Sequence, residues 1–140
     1  YVVYWSQSGN TQAMAEAVGA GITAAGKEAA VVDVSSVSTA ELKNAKAFAL
    51  GCPAMGAEVL EEGEMEPFVT EVEGFAAGKT IGLFGSYGWG DGEWMRNWVE
   101  QMTGAGAEMI EAEGIIANEA PDADAQAACE AAGKELAANA

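Results

Sequence analysis

The run Tyr4-Trp5-Ser6-Gln7-Ser8-Gly9-Asn10-Thr11 carries the residue types of an anion site. An apolar segment ends at Trp5 and a helical pattern opens near Thr11. Ser6, Gln7, Ser8, Gly9, Asn10 and Thr11 therefore make a short loop that leads into a helix N-terminus. Small, hydroxylated and amide-bearing residues there bring backbone N–H groups and side-chain hydroxyls into one concavity. The first amides of a helix have no partner within it, and that end of the dipole is positive, so a phosphate is favoured. The loop contains no Lys or Arg. The anion is expected to be held by hydrogen bonds alone.

Two more loops carry unusual residues. One reads Gly51-Cys52-Pro53-Ala54-Met55-Gly56-Ala57-Glu58, the other Gly85-Ser86-Tyr87-Gly88-Trp89-Gly90-Asp91-Gly92. Glycines flank Trp89 on both sides, which displays a large aromatic on a backbone that a ligand can approach closely. Met55 lies outside any helical stripe and reads as a ligand contact. An anion cradle, an aromatic plate and a Met-Gly turn opposite it suit a flat heteroaromatic that bears a phosphate.

The elements that must hold these loops recur along the chain. Apolar runs at Tyr1–Trp5, Ala30–Val34, Ala47–Gly51, Thr80–Gly85 and Ala107–Gly114 read as strands covered on both faces. Helical patterns fill the intervals. The first runs from Thr11 to about Ala25, with Met14, Val18 and Ile22 on one stripe and Gly26 as its stop. Ser38 and Glu41 form a capping-box pair for a short second helix. Met65, Phe68, Val69 and Val72 mark a third, with Pro67 in its first turn. Asp91 is expected to cap a fourth, which carries Trp94, Met95, Trp98, Val99 and Met102. A last helix over Asp122–Ala138 buries Ala125, Cys129, Ala132 and Leu136. Trp5, Trp94 and Trp98 read as packing residues. Strand and helix alternating five times predict a doubly wound α/β fold with an open parallel sheet. Ligands bind beyond the carboxyl ends of such strands, where all three loops lie.

The 140 residues suit a single domain, 1–140, and half of them are hydrophobic, enough for a sizeable core. Twenty-two acids against six bases give a net charge of -16. That charge repels nucleic acid and anionic membranes and attracts basic protein surfaces with salt-dependent rates. No apolar run approaches the ~20 residues needed to span a bilayer. No basic segment followed by an apolar stretch reads as a secretory signal. Cys52 and Cys129 are far apart and form neither a disulfide framework nor a metal motif, which fits a reducing, cytoplasmic setting. Both read as small buried hydrophobes. There is no histidine, so His-based triads and His metal sites are excluded. No GxxxxGK[ST] run or GxGxxG fingerprint occurs. A phospho-acceptor receiver needs an Asp where this chain has Gly51-Cys52 and an acidic pair where it has Trp5-Ser6.

Tyr4–Thr11, Leu50–Gly56 and Leu83–Gly92, three motifs in order at strand ends, resemble the flavodoxins, and of these the short-chain kind. The resemblance covers essentially the whole chain. It implies a five-stranded parallel sheet of order 2-1-3-4-5, bound FMN, and a monomeric one-electron carrier rather than an enzyme. It further implies that residues Ser6 through Thr11, with Ser86, wrap the FMN phosphate. Met55, beside Ala54, and Trp89 would face the two sides of the ring. The backbone of Tyr87, Gly88 and Gly90 would line the ring edge. Glu58 would accept from ring N3–H, and the Gly56–Ala57 peptide would sit beside N5, where its turn stabilises the semiquinone. Glu58, Glu61, Glu62, Glu64 and Asp91 would oppose the anionic hydroquinone and push the second reduction to low potential. The implied partners are ferredoxin-type reductases and iron–sulfur oxidoreductases. The alternative is an FMN-dependent NAD(P)H:quinone-type reductase of the same fold. Such enzymes usually carry extra segments, for which these short elements leave no room. One position departs from the most favourable pattern: after the turn, Ala57 is expected at positive φ, where alanine costs about 1–2 kcal/mol.

Overall fold

The computed structural model describes residues 1–56, 58–88 and 90–139. Continuous apolar runs become strands, in the order β1 (Val2–Tyr4), β2 (Val31–Asp33), β3 (Ala47–Gly51), β4 (Thr80–Tyr87), β5 (Glu108–Met109) and β6 (Ile115–Asn118). The helices between them are α1 (Asn10–Ala24), α2 (Thr39–Lys43), α3 (Met65–Glu73), α4 (Glu93–Gly104) and α5 (Ala123–Asn139). A single 3-10 turn covers Val34–Ser36. All strand pairs are parallel and the order is β2-β1-β3-β4-β5, as predicted. No helix among the described residues is long and apolar enough to cross a membrane.

Side-chain alternation along the central strands divides the core into two layers. Val3, Phe48, Leu50, Ile81 and Leu83 face α2, α3 and α4, where Leu42, Phe68, Val69, Trp94, Trp98 and Met102 are buried. Val2, Ala47, Ala49 and Phe84 face α1 and α5, where Met14, Val18, Ile22, Cys129 and Leu136 are buried. Burying each large aliphatic or aromatic group contributes about 1.5–3 kcal/mol. Burial pushes the thiols of Cys52 and Cys129 each up to about 12, and Cys52 Sγ also accepts from the Glu61 amide at 3.3 Å. Helices α1 and α5 pack backbone to backbone. A Cβ on Gly21 would lie 2.0 Å from the Glu130 carbonyl oxygen, and one on Gly133 would lie 2.0 Å from that of Val18.

Two expectations are corrected. The strand predicted at Ala107–Gly114 is two strands in one lane: β5 pairs with Thr80 and Ile81, and β6 with Phe84 through Tyr87. Residues 110–114, with Gly114 at φ 74, interrupt the lane, and its carboxyl end moves to Asn118. Asp91 does not cap α4. The N-cap is Gly92 at φ 91, while the Asp91 carboxylate pairs with Arg96 at 3.0 Å.

Candidate functional site

The first ten residues turn sharply where β1 ends. Gly9 adopts φ 94, a left-handed conformation that suits glycine, and α1 starts at the next residue without a side-chain bond from its N-cap. Ser6 Oγ folds back over this turn and accepts from the Gly9 amide at 3.1 Å and the Gln12 amide at 3.4 Å. No acidic residue occupies the first turn of α1. The amides of Asn10 and Thr11 meet no acceptor among the described residues.

Beside this helix end lies a cavity of ≈ 460 Å³. Ser6, Gln7, Ser8, Asn10 and Thr11 line one part of it, with Ala54, Met55, Ser86, Tyr87 and Gly88 across from them. The structure thus brings together ten of the sequence-predicted residues. Thr11 and Ser86 are the two buried polar side chains among the described residues, 1% and 5% exposed. Their hydroxyls meet at 3.1 Å, and the Ser86 amide donates to Thr11 Oγ1 at 3.3 Å. Two buried hydroxyls joined across 75 residues make a rigid polar wall at the helix end.

The apolar part of the cavity is built by β3 running on past its end. Cys52 and Ala54 donate their amides to Phe84 and Ser86 carbonyls at 3.1 and 3.0 Å. Trp94 Nε1 donates to the Cys52 carbonyl at 3.0 Å, and the Trp94 ring lies 5.7 Å from that of Tyr87. Met55 then turns back on itself in a tight hairpin with Val59, exchanging bonds at 2.9 and 3.3 Å.

Four predicted residues lie outside the cavity lining. Gly9 acts through its backbone at the turn. Gly56 is at the hairpin tip. Glu58, at φ 53, and Gly90, at φ 90, lie against each other beyond the cavity. Ala57 and Trp89 are outside the described residues. Three lining residues went unpredicted: Pro53, Glu119 and Ala120. Glu119 sits at φ 57, held by its amide to the Tyr87 carbonyl at 2.7 Å. Its signal was the position after β6, a fourth strand-end loop, which the misplaced end of the fifth strand concealed. Glu61, expected near the ring, turns to α3 and accepts from Gly63, Glu64 and Met65 amides at 2.6, 2.7 and 3.0 Å. Burial raises its pKa, but those three bonds outweigh it and hold the carboxyl below the usual range.

The donor set fits FMN. Helix amides and neutral hydroxyls suit a phosphate, and the Ala54, Met55, Tyr87 and Gly88 wall suits a flat apolar ring. A sequence profile described as Flavodoxin matches residues 2–133. The chain belongs to the flavodoxin family. It is 48% identical over 136 residues to a flavodoxin of Clostridium beijerinckii, covering 97% of each. It is 44% identical over 121 residues to a flavodoxin of Megasphaera elsdenii, covering 86% of this chain and 87% of the relative. The solution structure of two-electron reduced Megasphaera elsdenii flavodoxin superposes with a TM-score of 0.89 at 41% identity, covering 98% and 97% of the two chains. Flavodoxins bind FMN, and they are electron-transfer flavoproteins rather than enzymes.

Proposed function

We propose that this flavodoxin is a monomeric, cytoplasmic one-electron carrier that works between the half-reduced and fully reduced states of its flavin. FMN supplies the redox chemistry, and the chain sets where it sits and how costly added charge becomes. Ser6 through Thr11 and Ser86 would hold the phosphate, with Ala54 and Met55 against one ring face and Trp89 against the other. The Tyr87, Gly88 and Gly90 backbone would line the ring edge, Glu58 would accept from N3–H, and the Gly56–Ala57 peptide would respond to protonation at N5.

The observation that carries this reading is the acid-free N-terminus of α1, opening onto a cavity whose polar wall is the buried Thr11–Ser86 pair. In a chain of charge -16, a phosphate of about two negative charges has a favourable position there. The same negative field opposes a further electron and favours partners with basic surfaces, such as reductases and iron–sulfur oxidoreductases. Of the acids gathered near the ring in the sequence, Asp91 is paired with Arg96 and Glu61 with α3. Glu58 is likewise bonded to the start of α4, so Glu62 and Glu64 carry more of the effect.

The test is FMN reconstitution followed by a stepwise reductive titration read by absorbance. Stoichiometric uptake and two well-separated one-electron steps are expected. A single two-electron step would overturn the one-electron reading.

A further inference from the structure

We propose that Glu58 is a positioning residue: by capping α4 from the 55–59 hairpin, it locks together the two loops that form the ring-binding end of the cavity. The role of those loops rests on the proposed function above; the cap itself does not.

Helix α4 begins after Gly92, which has no side chain to offer its first amides. The local alternative, Asp91, is engaged with Arg96 at the surface. The acceptor comes instead from 34 residues earlier in the chain: Gly92 and Glu93 both donate their amides to Glu58 Oε1 at 3.2 Å. A carboxylate on the positive end of a 12-residue helix is a charge-assisted cap. Its location is tightly defined. A Cβ on Gly90 would lie 2.6 Å from Glu58 Cδ, so a side chain there would push the carboxylate off the helix. Glu58 itself has φ 53, a conformation strained for a residue with a Cβ, which persists where surrounding contacts over-determine it. The two amide bonds are such contacts.

The consequence is mechanical. Met55 and Val59 are joined by only two bonds and are not fully buried, and residues 88 and 90–92 belong to no helix or strand. Glu58 ties one to the other through a helix that is anchored in the core by Trp94 and Trp98. Oε2 meets no donor among the described residues, while Oε1 holds the helix. One carboxylate can thus serve α4 and a ring imide together.

The test uses the full chain, with FMN bound and after its removal, in Glu58→Ala and Glu58→Gln forms. Site-resolved amide exchange is the main readout, with the Glu61-capped amides of Glu64 and Met65 as internal controls. Glu58→Ala should speed exchange at Gly92 and Glu93 about tenfold or more, leave the controls unchanged, and weaken FMN binding. Glu58→Gln keeps an oxygen for α4, so its exchange should stay within about threefold of the parent. Its –NH2 opposes an imide N–H, so FMN binding should weaken as in Glu58→Ala. Unchanged exchange at Gly92 and Glu93 in Glu58→Ala overturns the proposal. Parent-like FMN affinity in Glu58→Gln with faster exchange in Glu58→Ala supports the clamp and removes Glu58 from the ring reading.

Discussion

Helices α1 and α4 begin in the same way and end up in opposite electrostatic states. Each follows a left-handed glycine, Gly9 at φ 94 and Gly92 at φ 91, that offers no side-chain cap. At α4 the Glu58 carboxylate crosses from another loop to take the free amides. The other helices are treated like α4. Glu41 accepts at the start of α2, Glu61 at α3 and Asp122 at α5. At α2 the Ser38 hydroxyl also accepts, beside Glu41, whereas α1 receives the Ser6 hydroxyl with no carboxylate from the described residues. In a chain with 22 acids, four of the described helix starts draw a carboxylate and α1 draws none among the described residues. On the proposed reading, the difference marks which helix end is left for an outside anion, with no cation needed.

Giving α1 what α4 already has should produce the largest effect. Asn10→Asp puts a carboxylate on the open helix end. Cofactor-free protein should gain about 0.3–1 kcal/mol in a thermal melt. FMN affinity should fall on the order of a hundredfold, or about 2.8 kcal/mol by calorimetric titration. Stability and affinity moving in the same direction would break the comparison. Next comes the polar wall beside α1. Thr11→Val leaves the buried Ser86 amide without its side-chain acceptor and should cost about 1–3 kcal/mol in urea unfolding. A loss confined to FMN binding would mean that the hydroxyl pair serves the ligand alone.

On the α4 side, Ala57 precedes Glu58 in the sequence. Ala57→Gly removes the penalty expected for alanine at positive φ, about 1–2 kcal/mol, and should raise the first-electron potential by about 40–80 mV. A redox titration with no change in the half-reduced population rejects that idea. The smallest effect concerns α3, capped like α4. The folded-state pKa of Glu61 is depressed, so its contribution is present above the ordinary glutamate range and is lost as pH falls through the lower, folded value. Glu61→Gln should flatten the acid limb of stability, by no more than about 1 kcal/mol because solvent screens the group. Unfolding midpoints between about pH 6 and pH 3 would show it.

The contrast also explains what could be read in the sequence. The loop proposed to hold the phosphate is local: its turn, its hydroxyls and the helix it feeds are contiguous, so types and spacing alone are enough to read the turn into α1. Apolar runs broken by at most one polar residue placed β1 through β4 within two residues at each end. In β6, Ile115 and Ala117 are buried while Ile116 and Asn118 are exposed. That alternation, divided from β5 by a polar turn, reads as the tail of one run. The error hid Glu119 and Ala120 from the cavity. The cap on α4 was missed for a different reason. Local rules look one to three residues back from a helix, and Glu58 reaches it across the chain.

The contact between Gly21 and Glu130, and that between Gly133 and Val18, leave no slack between α1 and α5. A shift of α5 would therefore be passed to α1, the helix whose start lines the cavity. Because α5 follows α1 in the chain, α1 takes its final seat only once α5 has been made and has docked.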